Sequence, residues 1–260
     1  MTQSVTFDRA ADFYDATRSY PPEVEMLVAD LIVQAGNLHR NSHVAEVGVG
    51  TGRVALPVAK RVGRITGIDL SRLMMKRLRA KQDGEQIHLV EGDITLLPFR
   101  DQAFDAVMAS HIFHLVPGWQ QALREVTRVL KPGAPLIHIW QQDNDLFRPL
   151  WKAWQEALGG RSDDMVGADW RRNPNFLVEN RWQPAGDLLI HGFSRPTTPA
   201  RYLEQIRQRM WSMCWRYDDD ELATGVSAME AAVPTAFGSL ETELEQTIQV
   251  HIQAYFPPAN

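Results

Sequence analysis

From Ser42 to about Gln141 the chain alternates short apolar runs with amphipathic stretches, and this rhythm constrains the fold more than any other feature of the sequence. The apolar runs His43–Val47, Arg64–Ile68, Gln86–Val90, Phe104–Ala109 and Leu136–Gln141 have the length and composition of strands buried on both faces. Helical periodicity separates them, so the strands are expected to run parallel, joined by crossover helices in a doubly wound sheet. Ser71 is placed to cap a helix reaching about Gln82, whose Leu73, Lys76, Arg77 and Ala80 divide into one apolar and one basic face. Pro117 to Leu130 reads as another, with Trp119, Leu123, Val126, Val129 and Leu130 turned inward and Pro132-Gly133 stopping it.

The flanks extend this plan. A helix from Pro22 to Ala35, ended by Gly36-Asn37, precedes the first strand. After Gln141 the strand rhythm stops, and Trp140, Trp151, Trp154, Trp170, Trp182, Trp211 and Trp215, seven of the eight tryptophans, fall in the second half. Leu188–Phe193 and Thr247–Phe256, the latter alternating through Ile248, Val250, Ile252 and Ala254, are strand-like and supply a sixth and seventh strand. Helices near Pro199–Met213 and Asp219–Val233 lie between them. The expected fold is therefore α/β: a doubly wound, mostly parallel seven-stranded sheet with a helical cap from the C-terminal half. Its expected parts are an N-terminal segment and helix (1–41), an α/β core (42–141), and a helical cap with closing strands of the same sheet (142–260).

Within the core, VAEVGVGTGRVALPVA places Gly48, Gly50 and Gly52 between a strand and a helical segment, the position of a nucleotide-binding turn. A dinucleotide turn needs its third glycine where this chain has Arg53, and a phosphate loop needs a Gly-Lys-Ser/Thr that is absent. Glu46 stands at the end of the strand, where a carboxylate suits a cationic ligand group and repels pyrophosphate. Asp69 ends the second strand, the place from which an acid grips ribose hydroxyls. The residues thus ask for a ligand with a ribose and an amine, and with no phosphate at the glycines. Pro57 predicts a delayed or bent start to the helix after this turn.

EVGVGTG, followed in order by GIDLS, EGDITLLPFRDQAFDAVMASHIFHLV and LREVTRVLKPGAPLIHI, resembles the motif set of class I S-adenosylmethionine-dependent methyltransferases. Within them the chain is most similar to the small-molecule "type 11" branch, which includes quinone-biosynthesis enzymes. The likeness covers about Phe7 to Gln141. It implies a Rossmann-like methyltransferase fold and S-adenosyl-L-methionine as cofactor. Glu46, Gly48, Gly50 and Gly52 would pass under the methionine and ribose parts, Asp69 would bind the ribose, and Leu70 would pack on adenine. Asp93 with the Ile94 backbone would recognise the adenine edge, and Ser110 would lie beside the methionyl group. FYDATRSYPPE resembles the family's lid, making Tyr14, Arg18 and Tyr20 cofactor-side candidates and pairing Arg18 with the methionine carboxylate.

Methyl transfer from a sulfonium requires mainly alignment, with a base only if the acceptor must lose a proton. His111 and His114, just past the fourth strand, are the candidate bases, against an ordinary role as polar residues at the pocket rim. Ser110-His111-Ile112-Phe113 lacks the motif of enzymes that methylate base amines, and Cys214 lies far from a cytosine-C5 nucleophile's position, so the expected acceptor is a small molecule. The pairs Trp151/Trp154 and Trp211/Trp215, each spaced to share a helix face, suggest that it is apolar or aromatic. A net charge of -5 disfavours nucleic acid, and a single cysteine excludes an intrachain disulfide framework and a thiolate metal site. No apolar run approaches the roughly 20 residues of a membrane span, and a cytoplasmic protein is expected. Two other readings share the turn: a cofactor-binding protein without catalysis, and a nicotinamide oxidoreductase.

Overall fold

The computed structural model describes residues 7–160, 167–169 and 173–258; Trp170 lies outside the described residues. Its strands are β1 (His43–Val47), β2 (Arg64–Asp69), β3 (Ile87–Glu91), β4 (Ala106–Ser110), β5 (Leu136–Asp143), β6 (Gln183–Thr197) and β7 (Leu244–Phe256). They form one sheet in the order β3-β2-β1-β4-β5-β7-β6. Pairing is parallel from β3 through β5. β7 runs antiparallel to both neighbours: Gln246 and Thr247 meet Arg195 and Ser194 while Gln253 reaches back to Ala185, and Thr247 receives Asn144 while His251 stacks on Trp140. Strand order reverses between β1 and β4, the switch point beyond whose carboxyl ends ligands bind in such sheets.

The helices are α1 (Tyr14–Arg18), α2 (Pro22–Ala35), α3 (Ala55–Ala59), α4 (Arg72–Lys81), α5 (Trp119–Val129), α6 (Arg148–Ala157), α7 (Phe176–Glu179), α8 (Pro199–Arg207) and α9 (Asp219–Phe237). The start of α3 at Ala55 puts Pro57 in its first turn, where the missing N–H has no intrahelical partner to lose. Ser71 caps α4 by accepting the Met74 N–H at 3.1 Å. The phase of α4 differs from the expected one. Its buried stripe is Met74, Met75 and Leu78, continuing from Ser71 at i+3, i+4 and i+7, and this leaves Leu73 50% exposed.

The chain divides into two compact units. The first comprises residues 1–141, 165–191 and 250–260. In its core Val107, Ala109 and Leu136 of the sheet pack with Ala122, Leu123, Val126 and Val129 of α5 and with Phe176 and Trp182. The second comprises residues 142–164 and 192–249, with a core of Leu150 and Trp154 from α6, Leu203 and Ile206 from α8, and Val226, Met229 and Val233 from α9. Gly225 lets α9 approach α6: a Cβ there would stand 2.3 Å from the Trp154 ring. Asp218 and Glu221 form a capping box at the start of α9.

In the second unit the tryptophans depart from the expected pattern. Trp151 and Trp154 do share α6, with ring centroids 5.4 Å apart, but Trp154 is only 1% exposed and serves the core. Trp211 and Trp215 are not on an α-helix. α8 stops at Arg207 because Arg209 takes a left-handed conformation (φ 52°) and donates through its guanidinium to the carbonyls of Cys214 and Tyr217, folding Ser212–Arg216 into a 3-10 turn.

Candidate functional site

The glycine turn leaves β1 beside the end of β2. Gly48, Gly50 and Gly52 all have positive φ, 74°, 53° and 81°, a region that L side chains enter only under strain. A Cβ on Gly52 would also stand 2.6 Å from Leu78. The turn is tied to β2 twice. Gly48 and Val49 N–H donate to the Ile68 carbonyl at 2.8 and 3.0 Å, and Gly50 N–H donates to Asp69 Oδ2 at 2.8 Å. Asp69 Oδ1 accepts from Ser71 N–H at 2.8 Å. The carboxylate therefore occupies the amide that a phosphate loop would offer to its ligand. Burial pushes the Asp69 carboxyl up, opposed by the N–H groups of Ser71, Gly50 and Leu70.

Glu46, next to the last residue of β1, is 2% exposed, and its Oε2 has no hydrogen-bond partner. Burial raises its carboxyl to about 8, with the Asp69 charge adding to the rise and the Arg53 charge and the Ala55 N–H opposing it. Beside it lies Arg53, a residue singled out in the sequence only as the missing glycine. Its guanidinium donates to the Arg18 carbonyl at 3.0 Å, to Gln141 Oε1 at 3.2 Å and to Ser110 Oγ at 3.1 Å, and stands 5.0 Å over the Tyr20 ring. One buried cation thus gathers the N-terminal segment, β4 and β5. Gln141 was likewise missed. The available signal was an arginine set among apolar residues in GRVALPVA, at a position where helix-surface exposure was not expected.

The N-terminal segment lies over the turn and along α4 from its Ser71 cap to Lys81. Thr51 Oγ1 donates to Asp15 Oδ1 at 2.6 Å, Lys81 pairs with Asp15 at 2.7 Å, Ser71 Oγ donates to Asp8, and Arg77 pairs with Asp12. Tyr20 is 6% exposed, and burial raises its pKa, opposed by the charge of Arg53. Tyr14 meets Phe7 edge-on at 6.1 Å and acts electrostatically on Tyr20 and Arg53.

Past β4, His111 sits in the left-handed region (φ 50°) with its N–H on the Ile139 carbonyl at 3.2 Å. Burial, then the charges of Arg53, His114 and Arg18, hold its pKa well below the ordinary histidine value. His114 faces it with ring centroids 6.3 Å apart. Gly92 N–H bonds the Asp69 carbonyl, so Asp93 and the buried Ile94 leave the sheet beside Asp69. Asp93 Oδ1 is engaged by Thr95 N–H and Oγ1, both at 2.8 Å. The structure thus brings Arg18, Tyr20, Glu46, Ser110 and His111 around Arg53, and Gly50 and Leu70 around Asp69. Among the described residues Asp93 and Ile94 share no hydrogen bond with the Arg53 group, and no cluster of His, Cys, Asp and Glu could hold a metal.

Residues 45–138, which hold the turn, β2, β3 and the β4 exit, match the family model described as a methyltransferase domain. Over those residues the chain is similar to a methyltransferase domain. A demethylmenaquinone methyltransferase of Lactiplantibacillus plantarum is 35% identical over 125 residues, 45% of this chain and 53% of the relative. A ubiquinone/menaquinone biosynthesis C-methyltransferase of Ruegeria sp. is 34% identical over 143 residues, 52% and 57% of the two chains. The chain spans about half the length of the curated relatives it matches. The YcgJ protein of Bacillus subtilis, at 16% identity and a TM-score of 0.56, shares the fold over 89% of this chain and 98% of its own. The matched residues include the turn, Asp69 and the β4 exit, while the second unit lies wholly beyond them. Among the described residues no helix is long and apolar enough to cross a membrane.

Proposed function

We propose that the chain transfers the methyl group of S-adenosylmethionine to a small-molecule acceptor. The observation that carries this reading is the pair of acids at the turn. Asp69 fills the Gly50 amide and Glu46 lies buried with an open oxygen, so the site rejects phosphate and suits a nucleoside carrying positive charge. The residues present fit that cofactor. Asp69 keeps acceptor capacity for ribose hydroxyls beyond its backbone bonds, Leu70 and Ile94 offer apolar contact to the base, and Tyr14, Arg18 and Tyr20 sit in the segment over the turn. When bound, the cofactor supplies an electrophilic methyl already activated by its sulfonium.

The protein's task is then alignment and exclusion of water, for which positioning alone can supply roughly 7–11 kcal/mol. Burial first, and then the charges of Arg53, His114 and Arg18, keep His111 neutral. It is suited to accept a hydrogen bond from an acceptor O–H, and it is a weak base, since an imidazolium there would be buried against two cations. His114 is the second group at that exit. The lengths of relative that this chain matches favour a small acceptor of the quinone-precursor kind, apolar or aromatic, in a cytoplasmic setting. The three parts 1–41, 42–141 and 142–260 serve as lid, cofactor core and acceptor side in this reading.

Thermal melting with S-adenosylhomocysteine tests it. A ligand at about 100 times its Kd stabilises the folded state by about 2.7 kcal/mol, and Asp69→Ala should abolish the shift. A flat melting curve for the wild type, or a shift with NAD(P) instead, would overturn the reading. A single-turnover assay with labelled methyl donor over a panel of hydroxylated aromatic compounds separates transfer from binding alone.

A further inference from the structure

On one face of the sheet β5 and β7 carry a buried row that is polar and aromatic where the opposite face is aliphatic. Val250, Ile252 and Ala254 of β7 are fully buried on one side, while His251, Gln253 and Tyr255 alternate with them to the other and are buried as well. The hydrogen bond from Asn144 N–H to the Thr247 carbonyl, at 3.0 Å, sets a register that brings His251 opposite Trp140 of β5. The Trp140 indole stacks with two imidazoles: its centroid lies 4.9 Å from that of His138 and 5.1 Å from that of His251, with planes 23° and 22° apart. His138 continues the row to Phe113 and Phe176, at 6.0 and 5.5 Å, and acts electrostatically on His111, so the row starts at the β4 exit. All of these residues belong to the first unit.

Packing alone does not explain two features of the row. Trp140, its widest ring, stays only partly buried although both imidazoles beside it are buried. His251 is 8% exposed, and its Nε2 is buried with no hydrogen-bond partner, a cost that an aliphatic residue would avoid. Burial lowers the pKa of both histidines, that of His138 to about 3. The wall therefore offers stacking area and one open nitrogen on neutral rings, which suits an uncharged flat molecule with a hydroxyl at its edge. We infer that Trp140 and His251 select the acceptor: an uncharged aromatic ring lies against the Trp140 indole, and its hydroxyl donates to His251 Nε2. This rests on the methyl-transfer reading above and deepens it, naming the residues that choose the acceptor.

2-Naphthol and 2-methoxynaphthalene test the assignment, because they share a ring system and only the first has an O–H to donate. Titrated into the wild type and followed by probe fluorescence, 2-naphthol should bind roughly 2–10-fold more tightly than the ether, the worth of one hydrogen bond. His251→Phe keeps a stacking ring and loses the nitrogen; it should abolish the preference and leave the ether's affinity near the wild-type value. Trp140→Leu should weaken both probes by roughly 2–10-fold with the preference kept, and it carries the comparison if circular dichroism shows His251→Phe unfolded. A preference unchanged in His251→Phe, or wild-type affinities in Trp140→Leu, would overturn the assignment. S-adenosylhomocysteine is titrated into the wild type in parallel. Its binding without that of either naphthalene would sink the aromatic wall and leave the cofactor reading standing. Naphthol binding with the expected preference but without S-adenosylhomocysteine binding would keep the wall and sink methyl transfer; binding of none would sink both.

Discussion

Replacing Glu46 by glutamine should make the folded protein more stable at pH 8 and change little at pH 4.5. The carboxyl is buried with an unbonded oxygen, and its pKa in the folded chain is about 8 against an ordinary glutamate value of 4.5. Since the folded value is the higher, the folded chain keeps a proton that the unfolded chain has released. Stability from this group is thus full below pH 4.5 and is lost as pH rises toward 8. Each pH unit in that window costs about 1.4 kcal/mol, so the whole climb removes roughly 4–5 kcal/mol from the wild type. Glutamine matches the shape and carries no charge, so it avoids this loss. Urea unfolding of both proteins at pH 5, 6, 7 and 8 should show their stability difference widening in favour of the variant. Taking the difference cancels groups such as His111, whose pKa is lowered in both proteins by causes that do not include Glu46. A gap that stays constant from pH 5 to pH 8 would mean that Glu46 is ionised in the folded chain, and the electrostatic reasoning about the site would fall with it.

Gly52→Ala should destabilise by about 1–3 kcal/mol in thermal melts, because φ is 81° and the new methyl stands 2.6 Å from Leu78; an unchanged melting temperature would refute the account of the turn. Gly225→Ala in the second unit should cost about 1–3 kcal/mol through overpacking against Trp154, read as a lower urea midpoint with the slope unchanged.

Much of the fold was legible because parallel strands buried on both faces write themselves as apolar runs. His43–Val47 matches β1 end for end, and Arg64, Leu136 and Phe256 also mark observed strand ends. Partly exposed β6 was harder: it runs from Gln183 to Thr197 through Pro184, Gly186, Gly192 and Pro196, and only its Leu188–Phe193 middle looks like a strand. The face of α4 was misjudged because methionines at 74 and 75, not Leu73, fall into phase with the Ser71 cap. In the site, the acids and glycines were readable from spacing, since backbone geometry fixes where they stand. Arg53 was not, because its role depends on acceptors 35, 57 and 88 residues away, a convergence that only folding creates.

The aspartates of the N-terminal segment give the site a kinetic character. Asp12 and Asp15 meet Arg77 and Lys81 at exposed positions, where an ion pair contributes about 0–1 kcal/mol and salt weakens it further. In the proposed lid reading these screened pairs are the contacts that salt weakens, while Thr51 on Asp15, Ser71 on Asp8 and Arg53 on the Arg18 carbonyl resist it. Ionic strength should therefore act as a throttle on how long a bound molecule stays, shortening residence time more than it alters the fit.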